Sequence, residues 1–257
     1  QSAIDAASDG DSVLVSAGTY FENIIWAETN GIKLIGSGED DCFIDGDSLA
    51  SVIRFEEDLG GIIDSTTLIT GFTIQNGNAQ GDFPYYDGGG IFLLHSSPTL
   101  TGVTFSKNTA DHNGGGMFFY SSNPTLTNVA FSNNSADLGG GGIYLYESSS
   151  TLTDATFSDN TAEAGGGMYL YKSSATLTDV TFNGNTVDHY GGGIRLSNSN
   201  STLTDVTFHS NTAEVSGGGL DAKYSNIQIT SSDFLNNSVY STVGSTFGGG
   251  LSYFNPN

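Results

Sequence analysis

The chain has 257 residues, of which 37% are hydrophobic and 36 are glycine. Six basic and 28 acidic residues give a net charge of −22, which excludes nucleic acid and anionic membrane surfaces as partners because both attract basic groups. No run of 18 apolar residues occurs, so we expect no membrane insertion of this segment. The single cysteine, Cys42, cannot form an intrachain disulfide, and we expect it to be a small buried side chain.

The first 87 residues predict an irregular N-terminal part of the fold. Residues Ser2–Ala7 predict a short helix, apolar at Ala3, Ile4 and Ala7, that would cap the first coil and protect its strand edges. A long loop at Asn78–Asp87 contains two aromatic residues next to each other, Tyr85 and Tyr86, after Phe83 and Pro84. Between the helix and this loop, short alternating apolar runs predict strands at Val13–Val15, Ile32–Ile35, Cys42–Ile44, Val52–Phe55 and Leu68–Ile74.

A repeat of about 26 residues occupies the chain from residue 88 onward. A triplet of glycines begins each unit, and successive triplets are 26, 26, 25, 26, 26 and 31 residues apart. A unit this short cannot bury its own apolar face, so stacked coils are expected. The triplets begin at Gly88, Gly114, Gly140, Gly165, Gly191, Gly217 and Gly248. A second marker, Phe-x-x-Asn, ends at Asn108, Asn134, Asn160, Asn185, Asn211 and Asn237.

Alternation within one unit predicts which side chains face the interior. In the strand after Gly140, Ile143 and Leu145 are expected inside, and Tyr144 and Tyr146 outside. Because like residues fall on like residues in stacked coils, the repeat predicts an internal aromatic column, an aliphatic column and a ladder of hydrogen-bonded asparagines. The aromatic column would contain Phe105, Phe131, Phe157, Phe182, Phe208 and Phe234.

Two segments resemble known β-helix proteins. The segment AIDAASDGDSVLVSAGTYFENI, from Ala3 to Ile24, resembles the opening segment of the pectin-lyase-like superfamily. The later GGGI and Phe-x-x-Asn units look like the repeats of chlamydial-type polymorphic outer-membrane proteins. The resemblance implies an extracellular or cell-surface protein of the all-β class: a single-stranded right-handed parallel β-helix of about nine coils. We expect one domain over residues 1–257, with irregular coils at 1–87 and regular repeats at 88–257.

The signatures of the enzymatic branches are largely missing. The polygalacturonase-like series Asn-Thr-Asp, Asp-Asp, Gly-His-Gly and Arg-Ile-Lys is represented only by Asp40-Asp41. The pectate-lyase pattern Arg-x-Pro-x-x-Arg is absent from the sequence. Enzymatic activity is therefore left open, and the sequence favours a non-catalytic role.

An aromatic outer face is the main candidate binding site. By the resemblance, the strand after each glycine triplet carries the substrate groove. Aromatic rings stack on sugar faces and tyrosine adds a hydroxyl, so the face is expected to contact a polysaccharide or a partner surface protein. The alternatives are that exposed tyrosine simply favours strands, or that a loop or a sister chain covers the face. The loops Asn78–Asp87 and Val239–Phe247 are expected to form its walls. The candidate ligand-binding residues are Phe92, Phe118, Tyr120, Tyr144, Tyr146, Tyr169 and Tyr171, with Tyr85 and Tyr86 from the first loop.

Basic residues gather where the aromatic face ends. Arg195, Asp221 and Lys223 are the candidate catalytic residues if the protein is a polysaccharide lyase or glycoside hydrolase. A lyase needs a base and a cation that holds developing charge, which Arg195 or Lys223 would supply. The alternative, which the sequence favours, is a surface cluster that only balances charge.

A column of acidic residues precedes the glycine triplets. Neighbouring carboxylates one coil apart repel each other, and Ca²⁺ would relieve that repulsion because it takes oxygen ligands. Calcium is therefore the one candidate cofactor, and the alternative is solvated charge that keeps the coils from sticking. The tentative metal ligands are Asp111, Asp137, Glu163, Asp188 and Glu214.

Two further roles stay open. The segment Leu251–Asn257 looks like the start of another coil, which is compatible with a structural stalk or with a filament unit that self-associates. Regular Thr-Leu-Thr ranks, beginning at Thr99, Thr125, Thr151, Thr176 and Thr202, resemble ice-binding β-helices. The sequence favours a secreted or surface adhesion module over both.

Overall fold

The computed structural model describes residues 1–56, 63–82, 84–240 and 248–255. One short helix, α1, precedes a long series of short strands. In chain order the elements are α1 (Ser2–Asp5), β1 (Ser12–Val15), β2 (Gly18–Phe21), β3 (Ile24–Ile25), β4 (Lys33–Gly36), β5 (Cys42–Asp45), β6 (Ile53–Phe55), β7 (Leu68–Gln75), β8 (Asn78–Ala79), β9 (Ile91–Leu94), β10 (Thr99–Ser106), β11 (Thr109–Ala110), β12 (Met117–Tyr120), β13 (Thr125–Ser132), β14 (Ser135–Ala136), β15 (Ile143–Tyr146), β16 (Ser149–Ser158), β17 (Thr161–Ala164), β18 (Met168–Tyr171), β19 (Ser174–Asn183), β20 (Thr186–Tyr190), β21 (Ile194–Ser197), β22 (Asn200–Thr204), β23 (Thr207–His209), β24 (Thr212–Ala213), β25 (Leu220–Lys223), β26 (Asn226–Thr230), β27 (Asp233–Leu235), β28 (Ser238–Val239) and β29 (Leu251–Phe254).

The strands form three parallel sheets that run the length of a solenoid of about eight turns. The long sheet follows the order β1-β4-β7-β10-β13-β16-β19-β22-β26. The second sheet, from β3 to β29, contains the strand after each glycine triplet, and the third, from β8 to β28, contains the shortest strands. The all-β, parallel β-helix with about 26 residues per turn is thereby confirmed. The expected number of about nine coils was too high, because the coils from Lys33 to Leu68 and from Leu68 to Thr99 are longer than the later repeats.

Register between coils matches like residue with like residue. Phe105 pairs with Phe131, and Leu100 with Leu126, across β10 and β13. The internal phenylalanine rings stack nearly parallel, with centroids 4.7 Å apart for Phe105–Phe131 and 4.6 Å apart for Phe208–Phe234. The predicted aromatic and aliphatic columns therefore form the core, and their side chains are almost completely buried as far as Phe208 and Leu203, whereas the last members, Phe234 and Ile229, are partly exposed.

The asparagine ladder is present and fully buried through its centre. The Asn160 Oδ1 atom accepts hydrogen bonds from the backbone N–H and the Nδ2 of Asn134, both at 3.0 Å. Asn160 Nδ2 in turn donates to Asn185 Oδ1 at 2.9 Å and to the carbonyl of Phe131 at 3.0 Å. Each amide thus satisfies the buried polar groups of the coil beside it.

A second buried ladder, built of serines, accompanies the asparagines and was not predicted. Each serine N–H donates to the hydroxyl of the next coil, as from Ser122 to Ser148 at 3.0 Å. The hydroxyl donates back to the carbonyl two residues earlier, as from Ser148 to Tyr146 at 2.8 Å. In the sequence these serines are indistinguishable from ordinary polar turn residues, so only coil stacking reveals their role.

The N-terminal coils agree with the predicted elements. Helix α1 buries Ile4 against the first coil, and strands β1, β4, β5, β6 and β7 overlap the five predicted strand runs. Cys42 is buried and free, as expected. The prediction missed β2 and β3, because Gly18–Phe21 alternates weakly and Ile24–Ile25 has only two residues. At the other end, β29 begins the additional coil that Leu251 indicated.

Candidate functional site

Three half-buried tyrosines form a ladder on the outer face of the second sheet. Tyr120 stacks on Tyr146 with ring centroids 5.0 Å apart, and Tyr146 lies 5.6 Å from Tyr171. Their strands alternate inward and outward side chains, so Met168 and Leu170 enter the core while Tyr169 and Tyr171 face outward. This tyrosine ladder agrees with the predicted outward orientation.

Phe92 and Phe118 are not part of an exposed surface, and that expectation was wrong. Phe92 is completely buried and Phe118 is 4% exposed, although both stack in line with Tyr144 outside the core. The cause is Arg54, whose guanidinium lies 4.2 Å from the Phe92 ring centroid and 4.8 Å from that of Tyr85. Arg54 and the loop Asn78–Asp87, through Tyr85, together cover the N-terminal part of the aromatic face.

Contacts on both sides hold the covering loop in place. Arg54 Nη2 donates to the carbonyl of Pro84 at 3.3 Å, and the Tyr86 ring stacks on His112 at 3.9 Å. Asp87 Oδ1 accepts hydrogen bonds from the Asn113 N–H at 2.9 Å and from its Nδ2 at 3.1 Å. The loop therefore forms the expected wall at one end. Phe83 and residues 241–247, the greater part of the second expected wall, lie outside the described residues.

A groove of about 430 Å³ opens beside the tyrosine ladder where the loop ends. Three tyrosine rings contribute to it, and its polar groups come from asparagine, glutamate, histidine and arginine side chains. The lining residues are Asn113, Leu138, Tyr144, Glu163, Ala164, Tyr169, His189, Tyr190 and Arg195. The groove spans several coils, so it suits an extended ligand better than a compact one.

One short coil explains why the groove lies at this position. The triplets at Gly140 and Gly165 are 25 residues apart, one fewer than the neighbouring pairs. The missing residue falls within β17 after Ala162, where the register between β17 and β20 shifts and Ala164 pairs with Tyr190. Glu163, Ala164, His189 and Tyr190 at this shift all line the groove. The irregular spacing of the glycine triplets is the sequence signal for this site.

Gly139 lies against the rings of two tyrosines that line the groove. A Cβ atom placed there would lie 2.5 Å from Tyr169 Cδ1 and 3.1 Å from the ring of Tyr144. The two rings occupy that space and meet edge to face, with centroids 4.9 Å apart. The glycine therefore permits the close ring packing that shapes the groove.

The structure brings together two of the three candidate catalytic residues. Arg195 Nη1 forms an ion pair with Asp221 Oδ2, and both side chains are less than 10% exposed. The Ser216 hydroxyl donates to Asp221 Oδ1 at 2.5 Å, and the Arg195 guanidinium lies 4.6 Å from the Tyr190 ring centroid. Lys223 instead is exposed and lies 5.2 Å from the Tyr224 ring centroid.

Burial perturbs the ionisation of groups around the groove. Desolvation lowers the pKa of Arg195, while its interactions with Tyr169, including a hydrogen bond, act in the opposite direction. Desolvation also raises the pKa of Tyr144, so its hydroxyl stays protonated. At the covered end, burial raises the pKa of Asp87 to about 6, against the effect of its hydrogen bonds to Asn113.

The acidic column does not assemble a cation site in the part of the chain that the structure describes. No group of three His, Cys, Asp or Glu side chains there is arranged to hold a metal ion. Glu163 Oε1 lies 2.8 Å from His189 Nδ1, because the register shift places His189 rather than Asp188 beside it. Calcium binding along Asp111, Asp137, Glu163, Asp188 and Glu214 stays a prediction.

Three solved structures resemble this fold at low sequence identity. An alginate lyase from Paenibacillus sp. strain FPU-7 is 13% identical, with a TM-score of 0.49 and coverage of 98% of this chain and 96% of that chain. PfbA, a surface adhesin of Streptococcus pneumoniae, is 12% identical, with a TM-score of 0.34 over 86% of this chain and 60% of the adhesin. A mannuronic acid-specific polysaccharide family 6 lyase from human gut microbiota is 13% identical, with a TM-score of 0.35 over 96% and 75%.

Sequence comparisons identify the repeat itself. No curated protein sequence matches this chain significantly. The Chlamydia polymorphic membrane protein repeat matches residues 179–197, in agreement with the expected resemblance. No helix among the described residues is long and apolar enough to cross a membrane. The model of the right-handed β-helix region matches residues 12–186, about two thirds of the chain, and the chain therefore belongs to the right-handed β-helix family.

Proposed function

We propose that this protein is a secreted or cell-surface β-helix module that binds polysaccharide through its groove and the neighbouring tyrosine ladder. The observation that carries the proposal is the groove of about 430 Å³, which combines three tyrosine rings with polar side chains. Recognition of sugars needs flat apolar surfaces together with hydrogen-bonding groups, and both are present here.

The dimensions of the face suit an extended sugar chain. Ring spacings of 5.0 and 5.6 Å along the tyrosine ladder are comparable to the length of one sugar unit in a polymer. Because the ladder rings stack on one another, successive units would meet successive ring edges and hydroxyls, while Asn113, Glu163 and His189 offer hydrogen bonds in the groove beside them. Each additional stacked ring adds contact, so affinity is expected to rise with chain length.

A surface or extracellular location is part of the proposal. It is supported by the match of residues 179–197 to a repeat of chlamydial membrane proteins. The net charge of −22 favours solubility at high concentration, as an exposed module requires. Detection of the protein in intact cells by a surface-accessible label, against a cytoplasmic control protein, tests this location.

Retention on immobilised polysaccharides tests the proposed binding. The double variant Tyr144→Ala/Tyr169→Ala is expected to lose about tenfold or more in affinity, since stacked aromatic rings supply much of the contact. The matched control is Tyr224→Ala/Tyr240→Ala, which removes two tyrosines that are 46% and 48% exposed outside the groove. Equal loss in both pairs, or undiminished binding by the groove variant, would contradict the proposal. Thermal melting of each variant separates lost binding from lost folding.

A polysaccharide lyase or hydrolase acting in the same groove is the second candidate. It is favoured by ionisable groups that meet there, with Glu163 beside His189 and Tyr169 hydrogen-bonded to Arg195. Lys223 does not join them, so Arg195 and Asp221 are the candidates that stay in place. Release of new chain ends in the retention assay, abolished by His189→Ala, would support catalysis. Binding without new ends supports the module.

Sedimentation of the purified protein tests whether the aromatic face instead contacts a partner protein or further copies of the chain. Sedimentation without sugar is expected to show a monomer if the aromatic face serves polysaccharide. Concentration-dependent multimers with no sugar binding would instead support a stalk or filament unit, for which the exposed Tyr253 and Phe254 of β29 offer an edge.

A further inference from the structure

We infer that the groove selects an uncharged sugar chain, and that Asp221 sets this selectivity by neutralising Arg195. The inference rests on the proposed polysaccharide binding and specifies the chemical class of its ligand. Its basis is the distribution of charge around the groove, which differs from what a site for acidic polymers requires.

The one arginine that lines the groove already has an anionic partner. Arg195 is ion-paired with Asp221, and Ser216 fixes the carboxylate by a hydrogen bond of 2.5 Å. The two side chains are 8% and 5% exposed, so the pair is removed from bulk solvent. At such low exposure the attraction is weakly screened, and a ligand carboxylate would have to compete with an aspartate held in position.

Among the described residues near the groove, the other cationic side chains are paired with carboxylates, apart from Lys223, which lies one coil beyond Arg195, is exposed beside Tyr224 and does not line the groove. His189 lies against Glu163 in the groove, and Lys172 Nζ lies 3.3 Å from Glu147 Oε1 near its edge. At the covered end, Arg54 is paired with Glu56 at 3.1 Å. The whole chain carries −22, so a polyanion approaching the groove meets a repulsive field.

The same groups suit neutral sugars well. Hydroxyl groups both donate and accept hydrogen bonds, so they can use Glu163 as an acceptor and the amide of Asn113 as a donor and acceptor. Arg195 contributes its planar surface over Tyr190, with 4.6 Å between guanidinium and ring centroid. These contacts require no net charge on the ligand. β-Elimination needs a carboxylate or carboxyl ester at C5 that acidifies the C5 proton, so a neutral chain without such an ester could be cleaved only by hydrolysis, whereas a methyl-esterified uronate chain would still allow elimination.

Polymers that differ only at the sugar carboxyl group test the inference. Suitable pairs are methyl-esterified and free polygalacturonate, and cello-oligosaccharides before and after oxidation at C6. Affinity is measured for the wild type at low and high salt. The neutral member is expected to bind about tenfold more tightly at low salt, with the difference shrinking as salt screens the repulsion. An equal or tighter affinity for the acidic member would overturn the inference while leaving polysaccharide binding in place.

Charge variants locate the selectivity. Asp221→Asn frees Arg195 and is expected to raise affinity for the acidic member about tenfold, an effect of the order of one charge interaction near a surface. Because that variant disturbs a buried pair, Glu163→Gln serves as a second test at a side chain that is 44% exposed. It should raise acidic affinity in the same direction. Asp179→Asn, with the same charge change at an exposed position of β19 outside the groove, is the control.

Each remaining outcome has a distinct meaning. If Asp179→Asn raises acidic affinity as much as Glu163→Gln and Asp221→Asn, net charge rather than the groove determines selectivity, and the role of Asp221 is refuted. If no member of any pair is retained by the wild type, the proposed polysaccharide binding itself fails, and the inference fails with it.

Discussion

Single side chains carry much of the stability of this fold because each one recurs in every coil. A buried amide such as Asn160 has partners in the coils on both sides, so one substitution disturbs three coils. A buried group that loses its partner pays the full cost of its desolvation, which is larger than the net gain of an ordinary hydrogen bond.

Asn160→Ala should lower the free energy of unfolding by about 3 kcal/mol, because the N–H and one Nδ2 bond of Asn134 lose their acceptor. Asn200→Ala is the matched control, since Asn200 is exposed and pairs at the surface with Asn226. Its cost should be within about 0.5 kcal/mol. Chemical denaturation measures both, and equal losses would show that the ladder has no special role.

The raised pKa of Asp87 predicts that the stability of the fold changes with pH. Its folded pKa is raised from 3.8 to about 6 by burial, so the folded state holds the proton more tightly than the unfolded state. Asp87 therefore stabilises the folded state most below about pH 4. As pH rises to about 6, this contribution to the free energy of unfolding, about 3 kcal/mol, is lost. Asp87→Asn should remove this component from the difference between denaturation curves recorded at pH 4 and 7. An unchanged difference would contradict the assigned pKa.

Short elements work here only in combination, and the capping helix shows this most clearly. Helix α1 has four residues, too few for independent stability, and it is held by burial of Ile4 over the first coil. It covers apolar strands that would otherwise present an open end.

Ile4→Asn should reduce stability by about 3 kcal/mol and promote association through the first coil. Ala3→Asn places the same side chain at the exposed neighbouring position of α1 and should have little effect. Thermal melting together with light scattering measures both consequences. Equal light scattering by the two variants would contradict a role of the helix in preventing association.

Element positions were largely predictable from the sequence, whereas the groove was not. Periodic apolar residues such as Ile143 and Leu145 fix the facing of strands, because every coil repeats the same alternation. The groove lies at a one-residue deletion after Ala162, and the covered end of the aromatic face depends on Arg54, which is the register partner of Phe92 in the preceding coil. Repeat patterns describe what coils share, so they do not reveal features that arise from a difference between coils.

At the scale of the whole molecule, net charge opposes compaction. A charge of −22 with carboxylates aligned along the coils predicts that added salt raises the melting temperature. If calcium binds along the acidic column as predicted, calcium chloride should raise the melting temperature more than sodium chloride does at equal ionic strength, and EDTA should reverse the difference. Equal effects of the two salts would contradict calcium binding.

The central claim, that the groove binds a neutral sugar chain, is tested most directly by a crystal structure with a bound oligosaccharide. The longest neutral oligosaccharide retained in solution should be used. The account predicts sugar rings against Tyr144 and Tyr169, with the ion pair between Arg195 and Asp221 intact. Sugar bound on another face, or a sugar carboxylate that displaces Asp221 from Arg195, would contradict it.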